Sequence, residues 1–432
     1  MLSVYRNMFR IRDLRKKILF TLFVIGIYRL GAAIPVPGVD LDAVRRMSEE
    51  AESAGIVGML NLFSGGALES LSVFSLGIMP YITASIMMQL LGVVIPRLQK
   101  LQEEGETGRK VITQWTRYIT VILALLQATG LSYLFHRGTL TGGLSLIPNY
   151  TPGRVLVIVI TMTAGTAFIM WLGELITQRG VGNGMSLIIF ASIVSQMPSQ
   201  MVILANSAGG YATAGFILVM LMFLALTVGI IFVDQGQRRI PIQFSKRIRG
   251  RRMLGGQSTY IPLKVNTAGV IPVIFASSIL YFPALVASSI PAGGFWGAIR
   301  RFIDNNLVSG TTWWYVILFG MLIVFFTYFY TAVQFDPARQ SDMIQRQGGF
   351  IPGIRPGSQT THYLEHILSR ITLPGSLFLA SVAVLPSIVA IFTNLQLGFS
   401  GISMLIVVGV ALETMKQIES QLMMRNYEGF LS

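Results

Sequence analysis

Residues 213–252 read TAGFILVMLMFLALTVGIIFVDQGQRRIPIQFSKRIRGRR. The first 21 of them, 213–233, carry no charge, and about 20 apolar residues are what a helix needs to cross the hydrocarbon of a bilayer. Only a helix that satisfies its own backbone, or a closed barrel, is stable there. The next 19 residues hold seven positive side chains, among them Arg238, Arg239, Arg247, Arg249, Arg251 and Arg252. An uncharged span that runs straight into a basic loop is the signature of a membrane helix leaving on the positive side. Searching outward for the same pattern yields ten candidate spans, at 18–36, 72–94, 113–134, 155–173, 185–203, 213–233, 268–288, 313–333, 373–393 and 399–416. The composition agrees. Only 12% of the 432 residues are charged and 53% are apolar, whereas a soluble domain carries about 25% charged residues. Three soluble domains, the usual content of such a length, are excluded. With no cysteine, disulfides and Cys-ligated zinc or iron–sulfur centres are excluded as well. No cleavable signal is expected, because the first apolar run is followed by Arg29, Pro35 and Pro37 without a small-residue cleavage pattern.

The positive charges set the orientation. Of the 33 Lys and Arg residues, 26 fall on one side of the ten spans and six on the other, with Arg29 inside the first span. This basic face is expected to be cytoplasmic and to carry both termini. The bias accounts for most of the net charge of +14 without a nucleic-acid partner. The loop 234–264 holds eight positive charges, more than topology requires, and reads as a docking surface for an acidic or RNA-bearing partner. The Gly-rich stretch 55–71 is too short and too polar to span and reads as a re-entrant or plugging segment.

Five spans precede the connection near 206 and five follow it, so the second half, 207–432, enters the membrane inverted relative to 1–206. Gly77 and Pro80 in the second span, and Pro272 and Pro283 in the seventh, interrupt helices at equivalent places, which suggests a pathway between the halves. Chemistry is sparse along it. No Asp/Glu pair stands at mid-depth to carry protons or sodium, which disfavours an ion-coupled transporter. His362-Tyr363-Leu364-Glu365-His366 matches an inverted zincin pattern, with Glu413 or Glu419 the possible third ligand, but a solvated helix face is the better account. Gly180-Val181-Gly182-Asn183-Gly184 reads as a tight turn, and Gly105-Glu106-Thr107-Gly108-Arg109-Lys110 fails the spacing of a phosphate loop. Neither an enzyme nor a resident cofactor is expected.

Several stretches resemble one family throughout the chain. These are Ile34-Pro35-Val36-Pro37-Gly38, Phe63-Ser64-Gly65-Gly66-Ala67-Leu68, Gly77-Ile78-Met79-Pro80-Tyr81-Ile82, the glycine turns at 104–110 and 180–184, Lys264–Pro272, and Gly349-Phe350-Ile351-Pro352-Gly353-Ile354-Arg355-Pro356-Gly357. Together they are similar to the SecY family, the channel-forming subunits of the bacterial protein translocon. The resemblance implies an all-α polytopic fold of ten transmembrane helices, in two inverted five-helix halves around an hourglass pore, with a short plug helix at about 55–71. It implies a constricting ring of Ile78, Ile82, Met185, Ile189, Ile274 and Ile406. The family usually has a branched aliphatic where Met185 stands, and Met makes the ring more deformable. The plug would include Asn61, Phe63, Ser64, Gly65, Gly66 and Leu68, with Asn61, Ser64 and Ser70 keeping it polar enough to swing out. Spans 2, 3, 7 and 8 would form a lateral gate that includes Thr83, Gln127, Ser277 and Phe282, with Thr83 and Gln127 as candidate polar contacts. The loops 234–264 and 335–371 would dock partners through Arg238, Arg239, Arg247, Arg249, Arg251, Arg252 and Arg355. The partners implied are the small subunits SecE and SecG, the motor ATPase SecA, the translating ribosome, signal peptides, unfolded polypeptides and the lipid bilayer.

Overall fold

The computed structural model describes residues 11–40, 42–44, 64–68, 70–138, 146–147, 150–207, 212–244, 247–249, 252–254, 258–289, 294–303, 306, 312–393 and 400–428. Each of the ten apolar stretches contains a helix. In the first half these are α1 (Arg12–Ala32), α2 (Met79–Val94), α4 (Glu106–Arg137), α5 (Pro152–Arg179) and α6 (Gly184–Ser207), with a short α3 (Pro96–Glu103) after α2. In the second half they are α7 (Ala212–Gln235), α8 (Ile271–Ser289), α10 (Trp313–Gln334), α12 (Ser358–Thr393) and α13 (Gly401–Glu428), with α9 (Gly294–Ile303) and α11 (Pro337–Arg346) lying between spans. Among the described residues, seven helices are long and apolar enough to cross a membrane singly, and α2 with α3 makes an eighth, sharply bent one. Large apolar side chains point outward along them, such as Phe232 at 80% exposure. In a membrane that surface meets acyl chains, the inverse of a soluble protein.

Three spans differ from the sequence reading; in the seventh, Pro272 is the second residue of α8 and only Pro283 lies inside the helix. The second does not begin at 72: residues 70–78 are turns, and the helix starts only at Met79, after Gly77 at φ +57°. Gly77 and Pro80 therefore sit before and at the start of the helix and do not interrupt it. It ends at Ile95, which is extended ahead of Pro96, as a residue before proline prefers, and α3 leaves at 101° to it. The ninth span is the second part of a 36-residue helix that begins at Ser358, so the His362–His366 stretch is helical and continuous with the span. There His362 Nδ1 lies 3.3 Å from Glu365 Oε2, both exposed.

Within the first half α2 packs on α4, α4 on α5, and α5 on α6 and α1; within the second, α8 packs on α10, α10 on α12, and α12 on α13. The halves meet most extensively where α6 lies against α7 and α13. At the basic ends, Arg117 grips Glu174 with two hydrogen bonds (2.7 and 2.5 Å), tying α4 to α5, and Lys416 pairs with Asp234 at 2.6 Å, tying α13 to α7. The turn at 180–184 joins α5 to α6 through Gly182 at φ +84°, a backbone that favours glycine. Val181 is buried there between Leu14 of α1 and Ile418 and Leu422 of α13.

The basic loop after α7 is not irregular. β1 (Gln237–Phe244) pairs antiparallel with β4 (Ser258–Lys264), and β5 (Gly349–Phe350), from the loop after α10, adds to the free edge of β1. A second hairpin, β2 (Arg247–Arg249) with β3 (Arg252–Leu254), extends between them. Ile240 and Ile242 are buried on alternate positions of β1, and Ile240 packs with Leu263, Ile351, Leu364 and Ile367. The two large loops are thus one platform on the start of α12.

Candidate functional site

The six residues expected to form the ring lie at or within the first two turns of four helices. Ile78 precedes α2 and Ile82 is in its first turn; Met185 and Ile189 begin α6; Ile274 begins α8; Ile406 is in the second turn of α13. All six lie in the large apolar core that runs through both halves, with Ile78, Ile189, Ile274 and Ile406 buried and Ile82 and Met185 partly buried against it. Two of the contributing helices come from each half. Met185 is accommodated by Gly173 of α5, where an added Cβ would stand 2.4 Å from the Met185 sulfur.

The plug segment reaches the same core. Asn61 and Phe63 lie outside the described residues. Ser64, Gly65, Gly66 and Leu68 are described, Ser64 and Leu68 are fully buried, and the neighbouring Ala67 belongs to the same large core. The segment is held by side chains that the sequence reading did not assign to it. The hydroxyl of Tyr28, on α1, lies 3.2 Å from the Ser64 carbonyl oxygen and 2.6 Å from the Ser192 hydroxyl on α6, while Ser192 donates to the Ile188 carbonyl at 2.9 Å. Arg29 donates to the Gly65 carbonyl at 3.0 Å. A Cβ at Gly65 would approach Ser192 Cα to 3.0 Å, and its φ of +68° also favours glycine, so the segment can lie this close to α6 here. Ser64, expected to keep the segment polar, is 1% exposed and spends its groups on this network. Behind it, the Ile34–Gly38 motif forms the seat: Val36 N–H donates to the Leu71 carbonyl and Val73 N–H to the Ile34 carbonyl, both at 2.9 Å. Leu71 is held there at φ +40°, the one described non-glycine residue with a positive φ. A charged side chain inside a span is a functional signal by itself; Arg29 gave that signal, whereas Tyr28 and Ser192, 164 residues apart, gave none.

The gate residues are less concerted. Thr83 donates to the Met79 carbonyl of its own helix at 3.0 Å and makes no hydrogen bond with Gln127, and Ser277 is buried and donates to Ile274. The Phe282 side chain lies outside the described residues. A hydroxyl bonded to the preceding turn has little left for a neighbour. Thr83→Val is therefore expected to change transport of a weak-signal precursor by less than about threefold, the scale of a mean interhelical hydrogen bond in lipid. A tenfold change would show that the hydroxyl has a partner on another helix.

Of the docking residues, Arg238 and Arg239 are exposed on β1, and the Arg239 guanidinium sits 4.9 Å over the Tyr260 ring. Arg247 and Arg249 are on β2 and Arg252 on β3; Arg251 lies outside the described residues. Arg355 is exposed in a loop bounded by Gly353 (φ +81°) and Gly357 (φ +106°) and pinned by Thr360, which donates to the Arg355 carbonyl at 3.1 Å.

Comparison with known proteins gives the family and the fold. The SecY family model matches residues 72–415. Protein translocase subunit SecY of Streptomyces galbus is 50% identical over 442 residues, and that of Mycobacterium bovis 50% over 445, each alignment covering all of both chains. Among solved structures, a protein-conducting channel superposes with a TM-score of 0.63 at 19% identity, covering 94% of this chain and 91% of that one. Sec61 from the canine ribosome–channel complex of the endoplasmic reticulum gives 0.60 at 18%, with the same coverage. These solved structures share the fold, ten membrane helices in two inverted halves around a pore, and the full-length relatives at half identity establish the lineage: the chain belongs to the SecY family.

Proposed function

We propose that this chain is a protein-conducting channel that passes secretory polypeptides across the cytoplasmic membrane and releases membrane-protein helices sideways into it. The observation that supports the reading is that the six expected ring residues, from both halves, all lie in the large apolar core the halves share, which also includes Ala67 of the plug segment. A conduit for arbitrary sequences is best built without a polar site that would hold one of them. Apolar side chains yield around a passing chain, and a dry constriction offers an ion no replacement for its hydration shell.

The basic face is the cytoplasmic one and carries both termini. The halves divide near 206 and 207, the plug occupies about 55–71, and the lateral gate lies between α2 and α4 of one half and α8 and α10 of the other. Energy comes from partners, since the channel performs no catalysis of its own. The platform of β1, β4 and β5, with the 247–254 hairpin and Arg355, offers a basic docking surface for SecA or a translating ribosome, and SecE and SecG complete the membrane unit. The related Sec61 and yeast Ssh1 channels were solved in complex with ribosomes, which supports a ribosome as one partner.

The test is reconstitution of the chain with SecE and SecA in vesicles. ATP-dependent protection of a secretory precursor from external protease is expected. Absence of transport with a competent precursor would overturn the proposal.

A further inference from the structure

We propose that Arg339 and Glu103 form an ionic clasp that couples the docking loop around Arg355 to the lateral gate. The inference rests on the function proposed above, in which that loop seats a partner and α2 and α10 border the gate. Glu103 is the last residue of α3, the sharply bent continuation of α2 in the first half. Arg339 is in the first turn of α11, which continues from α10 in the second half. Arg339 Nη2 lies 2.5 Å from Glu103 Oε1, so the pair joins the extensions of two gate helices across the division between the halves.

Arg339 is positioned for this contact. Asp336 caps α11, accepting from the Ala338 and Arg339 amides at 3.0 and 3.3 Å, and its second oxygen lies 3.2 Å from Arg339 Nε. The other side of α11 is fastened to the docking loop. Ser341, buried, donates to the Gly357 carbonyl at 2.9 Å, two residues from Arg355, whose own carbonyl is held by Thr360. A load on Arg355 is thereby carried to α11 and to Arg339, and from there to Glu103.

Both partners of the clasp are 52% exposed. Such a pair is weak and screened by salt. Weakness suits a contact that must be made and broken repeatedly, since a buried pair is costly to part. Salt bridges within one half, such as Arg117–Glu174, have no such role, because both partners move together.

Charge reversal and charge exchange test the clasp in the reconstituted channel. Glu103→Arg and Arg339→Glu are each expected to raise transport of a signal-defective precursor about two- to fivefold, the range for an exposed ion pair, and the effect should fade at high salt. The exchange E103R/R339E should return transport to the parent level. A second arm uses the cysteine-free background. A reducible cross-link between E103C and R339C should stop transport while SecA binding persists, and reductant should restore it. Single reversals that leave transport unchanged, an exchange no better than the singles, or full transport by the cross-linked chain would each overturn the clasp. These outcomes leave the channel function itself intact, because that is read separately from transport of a competent precursor by the parent chain.

Discussion

Ile406→Asn is expected to open the resting channel. In reconstituted vesicles its ion flux, and its transport of a precursor with a defective signal, should exceed those of the parent about tenfold or more. Ile406 is 1% exposed in the cluster that holds the other ring residues and Ala67. An amide buried there without partners costs about 1–3 kcal/mol in the closed arrangement. In a hydrated, open arrangement the same amide costs almost nothing, so the whole penalty shifts the balance towards opening, at about 1.4 kcal/mol per factor of ten. Ile406→Leu is the control: a volume-conserving apolar exchange costs less than about 1.5 kcal/mol and keeps the constriction dry. Unchanged ion flux in a folded Asn variant would mean that these side chains do not form the seal.

The second large effect is expected from Tyr28→Phe, which removes one oxygen atom. The ring of Tyr28 stacks on Phe74 with centroids 5.8 Å apart, and phenylalanine keeps that contact. What is lost is the hydroxyl between Ser64 and Ser192. The Ser64 carbonyl keeps the Ala67 N–H, at 3.3 Å, but loses its cross-helix contact, and Ser192 loses its 2.6 Å partner, in a site where Tyr28 is fully buried. Losing one such hydrogen bond costs a net of about 0.5–1.5 kcal/mol, and plug release should rise about 2- to 12-fold. Ser192→Ala should have a related effect, and the double variant should fall short of the sum, because both changes dismantle one node. Resting ion flux equal to that of the parent in Y28F would show that the plug is held elsewhere.

Much of the architecture was legible because lipid imposes long uncharged runs, and such runs mark themselves in any sequence. The misplaced start of the second span has a local cause. Residues 72–78 are apolar enough for a membrane, but Gly77 adopts a positive φ and the chain turns until Pro80 opens the helix. Apolarity reports where a segment sits and not which backbone it adopts. The platform strands were also written in the chain, as the alternation Arg239-Ile240-Pro241-Ile242-Gln243, but that period of two is short and is masked by the charge density of the loop around it. The ring residues could be named by resemblance, whereas composition alone would have left six aliphatics among dozens. Thr83 bonds within its own helix because a threonine there has a near acceptor in the preceding turn, and a single sequence does not show that choice. The hold on the plug was the least legible part, since it joins Tyr28, Ser64 and Ser192 across three segments.

Leu71 gives the closed plug a further property. A branched side chain at φ +40° adds about 1–2 kcal/mol of backbone strain over an ordinary conformation, and the surrounding bonds compel it to stay there. That energy behaves like a wound spring beneath a catch. In the channel proposed above, a departure that lets Leu71 return to a negative φ would give that energy back, so a tight resting state need not be a locked one.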